Sequence, residues 1–119
     1  NQPVMTIQFN TDHNIKGSEA VREPLIALIT EELSRFSDRI TRIEVHLTDQ
    51  DGKKRGQEDK RCVLEARVEG RQPIAVTNDA GTRDQAVEGA LEKLIASLET
   101  IIGREKALEI EEKEQADIF

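Results

Sequence analysis

Between Met5 and Asn10 apolar and polar side chains alternate without a break, Met5, Ile7 and Phe9 against Thr6, Gln8 and Asn10. That period of two predicts a strand with one buried face. Asp12-His13-Asn14-Ile15-Lys16-Gly17 is a turn-rich link. After it the period lengthens: Val21, Leu25, Leu28, Ile29, Leu33 and Phe36 fall at helical spacing and make one stripe, with Ser18 as N-cap and Glu19 in the favourable first turn. Pro24 sits too deep to be a first-turn proline of a helix capped at Ser18, so this helix either kinks there or becomes regular only near Glu23.

The period of two returns from about Ile40 to Thr48, with Ile43, Val45 and Leu47 inward and Arg42, Glu44 and His46 outward. Arg61 to Glu69 repeats it, Cys62, Leu64, Ala66 and Val68 inward against Val63, Glu65 and Arg67. Gly70-Arg71-Gln72-Pro73 is turn chemistry and Ile74 to Thr77 a short fourth strand paired back as a hairpin, a position where Pro73 suits the strand start. Thr82-Arg83-Asp84-Gln85 fits a capping box for a second helix with the stripe Val87, Ala90, Leu91, Leu94, Leu98 and Ile101, and Gly103 reads as its C′ glycine. Gly89 inside that helix costs about 1 kcal/mol relative to alanine, which points to a close contact there. Arg104 to Ala116 is rich in helix formers but has a thin apolar stripe of Ala107, Leu108 and Ile110, so it reads as a loosely attached helical tail. The order is β-α-β-β-β-α, an α+β two-layer sandwich with both helices on one face of a four-stranded sheet, in layers like those of a double-stranded-RNA-binding domain. The open face displays Gln8, Arg42, Glu44, His46, Glu65 and Arg67.

Length and composition fit this picture. The 119 residues suit one domain, with residues 5–103 as its body, residues 1–4 as an extension carrying no functional signal, and residues 104–119 as the tail. Tryptophan and tyrosine are absent, so the core must be aliphatic, with Phe9 and Phe36 its aromatic members. A lone cysteine, Cys62, forms no intramolecular disulfide and suits a reducing compartment, and the chain has neither an apolar run of about 20 residues nor a basic-then-apolar start. A soluble cytoplasmic protein without a membrane partner is expected. The net charge of −7 argues against a generally basic nucleic-acid-binding surface, and residues 104–117 alone hold three basic and six acidic side chains.

Catalysis needs convergent groups, and few are in prospect. Cys62 alternates with inward residues and reads as a small core residue rather than a reactive thiol. His13 and His46 lie on different elements without ligand spacing, and no glycine-rich phosphate loop follows a strand. Neither an enzyme, nor a metal or other cofactor, nor a small-molecule substrate is expected. The distinctive segment is the long link from Thr48 to Arg61, where Lys53, Lys54, Arg55, Lys60 and Arg61 oppose Asp49, Asp51, Glu58 and Asp59. Two readings stand: a solvated loop, or a loop that contacts phosphates or a partner.

Three stretches resemble the ribosome hibernation promoting factor and ribosome-associated inhibitor family, also called sigma-54 modulation proteins. They are Thr6-Ile7-Gln8-Phe9-Asn10 leading to Ala20-Val21-Arg22, Ile40 to Leu47, and Asp84-Gln85-Ala86-Val87-Glu88-Gly89-Ala90-Leu91-Glu92-Lys93-Leu94. The segment Asp59 to Arg67 followed by Gln72-Pro73-Ile74 is similar to a short proteobacterial branch. The resemblance spans about Met5 to Gly103. It implies binding to the small ribosomal subunit, 16S rRNA and ribosomal proteins included, near the decoding centre, with down-regulation of translation in stress or stationary phase. Basic residues on the helices and sheet edge would meet rRNA phosphates, and Arg22 and Lys93 match such positions.

Other family positions depart: where relatives are basic, this chain has Ala27, Leu28, Glu31 and Glu32, then Ala96, Glu99 and Thr100. A tight, salt-dependent phosphate binder makes about 6–10 contacts. The chain reaches that number only by pooling Arg22, Arg42, Lys53, Lys54, Arg55, Lys60, Arg61, Arg67 and Lys93, so binding to rRNA alone is expected to be weak and centred on the loop. The alternative is a protein-binding module on the same fold that has lost rRNA affinity and engages a basic partner through its acidic tail and open sheet.

Overall fold

A computed structural model describes residues 5–11, 18–49 and 60–118. The link at 12–17, the side chain of Val21, the loop cations Lys53, Lys54 and Arg55, and residues 1–4 lie outside the described residues. The elements are β1 (Thr6–Thr11), α1 (Ser18–Glu32), a 3₁₀ turn (Ser34–Phe36), β2 (Ile40–Asp49), β3 (Lys60–Val68), β4 (Ile74–Ala80) and α2 (Arg83–Ile118). The sheet order is β1-β2-β3-β4, with β1 parallel to β2 and the other pairs antiparallel. This is the α+β two-layer fold with the order β-α-β-β-β-α.

The alternation read from the strands is the alternation of burial. Ile43, Val45 and Leu47 of β2 and Cys62, Leu64 and Ala66 of β3 are fully buried, and they meet Leu25, Ile29 and Leu33 of α1 and Val87, Ala90, Leu91, Leu94 and Leu98 of α2. Burying one large aliphatic side chain is worth about 1.5–3 kcal/mol, so this layer dominates stability. Phe36 closes the core and Phe9 packs at its edge. Burial pushes the Cys62 thiol up to about 12, which makes it an inert core side chain.

α1 passes through Pro24 as a single helix. The proline removes the bond to the carbonyl of Ala20, but both residues are exposed, so the lost bond lies at the surface of the helix rather than in the core. β4 extends three residues beyond the expected Thr77, to Ala80, because Asn78, Asp79 and Ala80 continue the ladder opposite Cys62, Arg61 and Lys60. The Thr82 cap forms as expected, its hydroxyl accepting from the Gln85 N–H at 3.1 Å. Gly70 takes a positive φ of 76° in the β3–β4 turn, a conformation that suits glycine.

Helix α2 does not stop at Gly103. A C′ glycine would need the left-handed conformation, which Gly103 does not adopt, and the helix runs on to Ile118. Its 36 residues span about 54 Å. Two residues beyond the glycine, the Glu105 carboxylate accepts from two guanidinium groups. Arg39 reaches it at 2.8 Å and Arg71 at 2.7 Å. These hydrogen bonds hold the Glu105 carboxyl down at about 2 and raise Arg39. Residues 39 and 71 flank β2 and the β3–β4 turn, so Glu105 pins the continuing helix to the end of the sheet. Beyond it, Leu108 and Ile110 are exposed.

Gly89 confirms the expected close contact. A Cβ there would overlap the Asn78 carboxamide, whose Nδ2 donates to the carbonyls of Gln85 (3.3 Å) and Ala86 (3.2 Å). Gly89→Ala is therefore expected to be neutral to destabilising by up to about 2 kcal/mol in urea melts, because lost hydrogen bonds of about 0.5–1.5 kcal/mol each oppose a helix-propensity gain of about 1. In an Asn78→Ala background the same substitution should stabilise by about 1 kcal/mol. Equal effects in both backgrounds would contradict the contact.

The Glu105 link should show in the pH dependence of stability. Its carboxyl titrates lower when folded than its ordinary value of 4.5, so its contribution is complete above that value and disappears as pH falls toward about 2. Glu105→Gln should melt below the wild type at neutral pH, with the gap closing over that interval and narrowing in high salt because the group is solvent-accessible.

Candidate functional site

The sheet face opposite the helices is polar, and its strand register sorts the side chains into rows. Thr6, Arg42 and Arg67 form one row; Gln8, Glu44, Glu65 and Ala75 the next; Asn10, His46, Val63 and Thr77 a third; Thr48, Arg61 and Asp79 a fourth. Like charges thus stand directly opposite on β2 and β3, arginine against arginine and glutamate against glutamate, an arrangement that costs stability unless relieved along the strand. The relief is visible at Arg42, whose guanidinium donates to Glu44 at 3.2 Å and to the side chain of Gln8.

Arg61 stands three rows from Arg67, about 20 Å along β3. It forks onto Asp79, Nε to Oδ1 at 2.8 Å and Nη2 to Oδ2 at 3.1 Å. That hydrogen-bonded pair raises the arginine and lowers the aspartate, with the Lys93 charge adding to the second effect. Arg67 is exposed and makes no ion pair within the described residues. Across the face, Arg42, Arg61 and Arg67 are balanced by Glu44, Glu65 and Asp79, so the sheet offers a polyanion no net attraction.

The remaining candidates lie elsewhere. Lys60 opens β3 opposite Asp49, Nζ to Oδ2 at 3.4 Å, and by its register points to the helix side of the sheet. Lys93 reaches from α2 over the outer strand and donates to the carbonyl of Thr77 at 2.7 Å. Arg22 is exposed on α1. The structure therefore gathers Arg42, Arg61 and Arg67 on one face but places Lys60, Lys93 and Arg22 on others. Four of these six described cations already hold a carboxylate or carbonyl partner; the more exposed ones, at Arg42, Arg61 and Lys93, are weak enough, about 0–1 kcal/mol, for a phosphate to compete, whereas Lys60 is held by the buried Asp49.

Two clusters escaped the sequence reading. Arg39, Arg71 and Glu105 meet across 66 and 34 positions, a separation with no local periodic signal. Glu32, Glu88 and Glu92 share one groove between α1 and α2, and only the packing of the two helices brings them together. Among the described residues no group of three or more His, Cys, Asp or Glu side chains is arranged to hold a metal ion, and no helix is long and apolar enough to cross a membrane.

Comparison with known proteins agrees with the architecture. The N-terminal domain of Thermus thermophilus Protein Y superposes with a TM-score of 0.64 at 18% identity, over 82% of this chain and 99% of that one. A ribosomal subunit interface protein from Coxiella burnetii superposes with a TM-score of 0.62 at 20% identity, over 83% and 99%. No curated protein matches the chain. The model of the family described as sigma 54 modulation protein / S30EA ribosomal protein matches residues 9–107, from within β1 through α1 and the other three strands to α2 just past Glu105. By that match the chain belongs to the sigma 54 modulation protein / S30EA ribosomal protein family.

Proposed function

We propose that this protein is a cytoplasmic, non-catalytic ribosome-associated factor that binds the small ribosomal subunit and down-regulates translation under stress or in stationary phase. The observation that carries the reading is the family match over residues 9–107, supported by the shared fold of the Coxiella burnetii ribosomal subunit interface protein. The chemistry available for such binding is a set of separated cations: Arg22 and Arg67 uncommitted within the described residues, Arg42, Lys60, Arg61 and Lys93 partnered, and Lys53, Lys54 and Arg55 in the loop sequence. With its open face charge-balanced, the protein docks by shape, and phosphate contacts from the loop and the uncommitted arginines set the salt dependence. No cofactor or small-molecule substrate enters this reading.

The charge balance also favours a second reading, a protein-binding module on the same fold that has lost rRNA affinity and uses its acidic tail toward a basic partner. The outer helix layer bears on this choice: Ser18–Glu32 and residues 83–103 hold eight acidic against three basic side chains.

Sucrose-gradient fractionation of stationary-phase lysate decides between them. The first reading expects co-sedimentation with small subunits or whole ribosomes at low salt and release as salt rises; a protein that stays at the top of the gradient at low salt refutes it. Replacing Lys53, Lys54 and Arg55 together by alanine should weaken binding and flatten the salt dependence by up to about three phosphate contacts, and Arg67→Glu should do so by about one. Unchanged co-sedimentation of both variants would rule out these surfaces.

A further inference from the structure

On the outer side of the helix layer α1 and α2 enclose a groove of about 220 Å³. Its floor is Leu28, Leu91 and Ile95, and its rim is Glu32, Glu88 and Glu92. The three glutamates are exposed, and none has an ion pair or hydrogen bond within the described residues. The protein's own nearby cations are turned elsewhere: Arg35 donates to Glu99 at 2.8 Å, linking the 3₁₀ turn to α2, and Lys93 binds the Thr77 carbonyl. Arg22 lines a separate depression with Glu23, Ile26 and Ala27.

The two halves of the groove restrict its occupant. Three carboxylates lining one groove, Glu88 and Glu92 a turn apart on α2 and Glu32 on α1, repel a phosphate backbone, which excludes nucleic acid. A wholly apolar occupant would strip water from those carboxylates without replacing their hydrogen bonds, a cost that offsets burial of the leucines and isoleucine. A segment with lysine or arginine heads at the rim and an aliphatic side chain on the floor satisfies both, and the methylene stems of its cations add apolar contact. From Glu88 to Ile95 the groove is about 10 Å long, room for roughly two helical turns or three to four extended residues.

We propose that the groove between α1 and α2 docks a short cationic amphipathic segment of another protein, held by charge at Glu32, Glu88 and Glu92 and by apolar contact with Leu28, Leu91 and Ile95. The surface shares no residue with the cations assigned to ribosome binding, so the two proposals succeed or fail separately.

The test is titration of the full chain, with ¹³C-labelled leucine and isoleucine methyls, using a synthetic amphipathic lysine–leucine peptide. A control peptide carries serine at every leucine. The lysine–leucine peptide is expected to shift the Leu28, Leu91 and Ile95 methyls. Affinity should fall about tenfold for the serine control and again for the E32Q/E88Q/E92Q variant, whose exposed substitutions leave the core untouched. The Arg67→Glu variant should bind the peptide as the wild type does. The proposal is overturned by equal binding of the two peptides, by peptide affinity indifferent to the triple variant, or by shifts at Leu108 and Ile110 in place of the groove. It is also overturned if a single-stranded RNA oligonucleotide shifts the groove methyls, or if protein concentration alone does, which would make the occupant a second copy of the chain.

Discussion

The structure depends on burying one face of a four-stranded sheet with aliphatic side chains alone. Six residues of β2 and β3 that face the helices, Ile43, Val45, Leu47, Cys62, Leu64 and Ala66, are completely buried, and Phe36 is the only aromatic side chain among the buried core residues described. Aliphatic packing gains free energy through area and close contact rather than directional bonds. The helices must therefore lie flat on the sheet, and small residues mark where they come closest. Ala86 and Ala90 are buried beside the sheet, and Gly89 meets Asn78 where even a methyl group has no room.

Because the inner face is used up by packing, charge among the described residues, apart from the Lys60–Asp49 pair at the end of β2 and β3, is displaced to three outer surfaces of different character. The open sheet face alternates arginine and carboxylate rows and is balanced. The helix layer is acidic. The far end of α2 is acidic too, but it is tethered at its base by one glutamate between two arginines. That tether explains why a helix with a glycine at position 103 continues: the interior glycine costs about 1 kcal/mol, and the Glu105 bonds, with strong helix formers on both sides, oppose that cost.

Membership of the sigma 54 modulation protein / S30EA ribosomal protein family and this charge distribution pull in different directions, and together they shape the functional reading. The family match supports a ribosomal partner, while the eight acidic against three basic side chains of the helices argue against the helix layer as the main surface for rRNA phosphate. Arg42 and Arg61 on the open face are partly neutralised by Glu44 and Asp79, which leaves shape complementarity and a few free cations to position the protein. An acidic outer groove over an apolar floor is consistent with a division of surfaces, one for RNA and another for a basic protein segment.

Local periodicity was enough for the order of elements, the inward side of the first three strands and the Thr82 cap, because each is set by neighbours within a few positions, and a glycine inside a helix was enough to flag the close contact at Gly89, although its partner Asn78 lies on β4. The family was legible for the same reason, through contiguous stretches such as Asp84 to Leu94. Where the chain's local signal was overruled, a distant group did the overruling. Gly103 reads as a helix stop, yet Arg39 and Arg71, far away in sequence, hold the next turn in place. The pooled set of cations reads as one surface, yet the strand register places Lys60 on the helix side and Arg61 against Asp79, and the packing of α2 over the outer strand turns Lys93 to the Thr77 carbonyl. Charge and periodicity along the chain determine which residues are available for binding. Which of them share a face, and which are already neutralised, is decided only when sheet register and helix packing bring residues tens of positions apart to within 3 Å of each other.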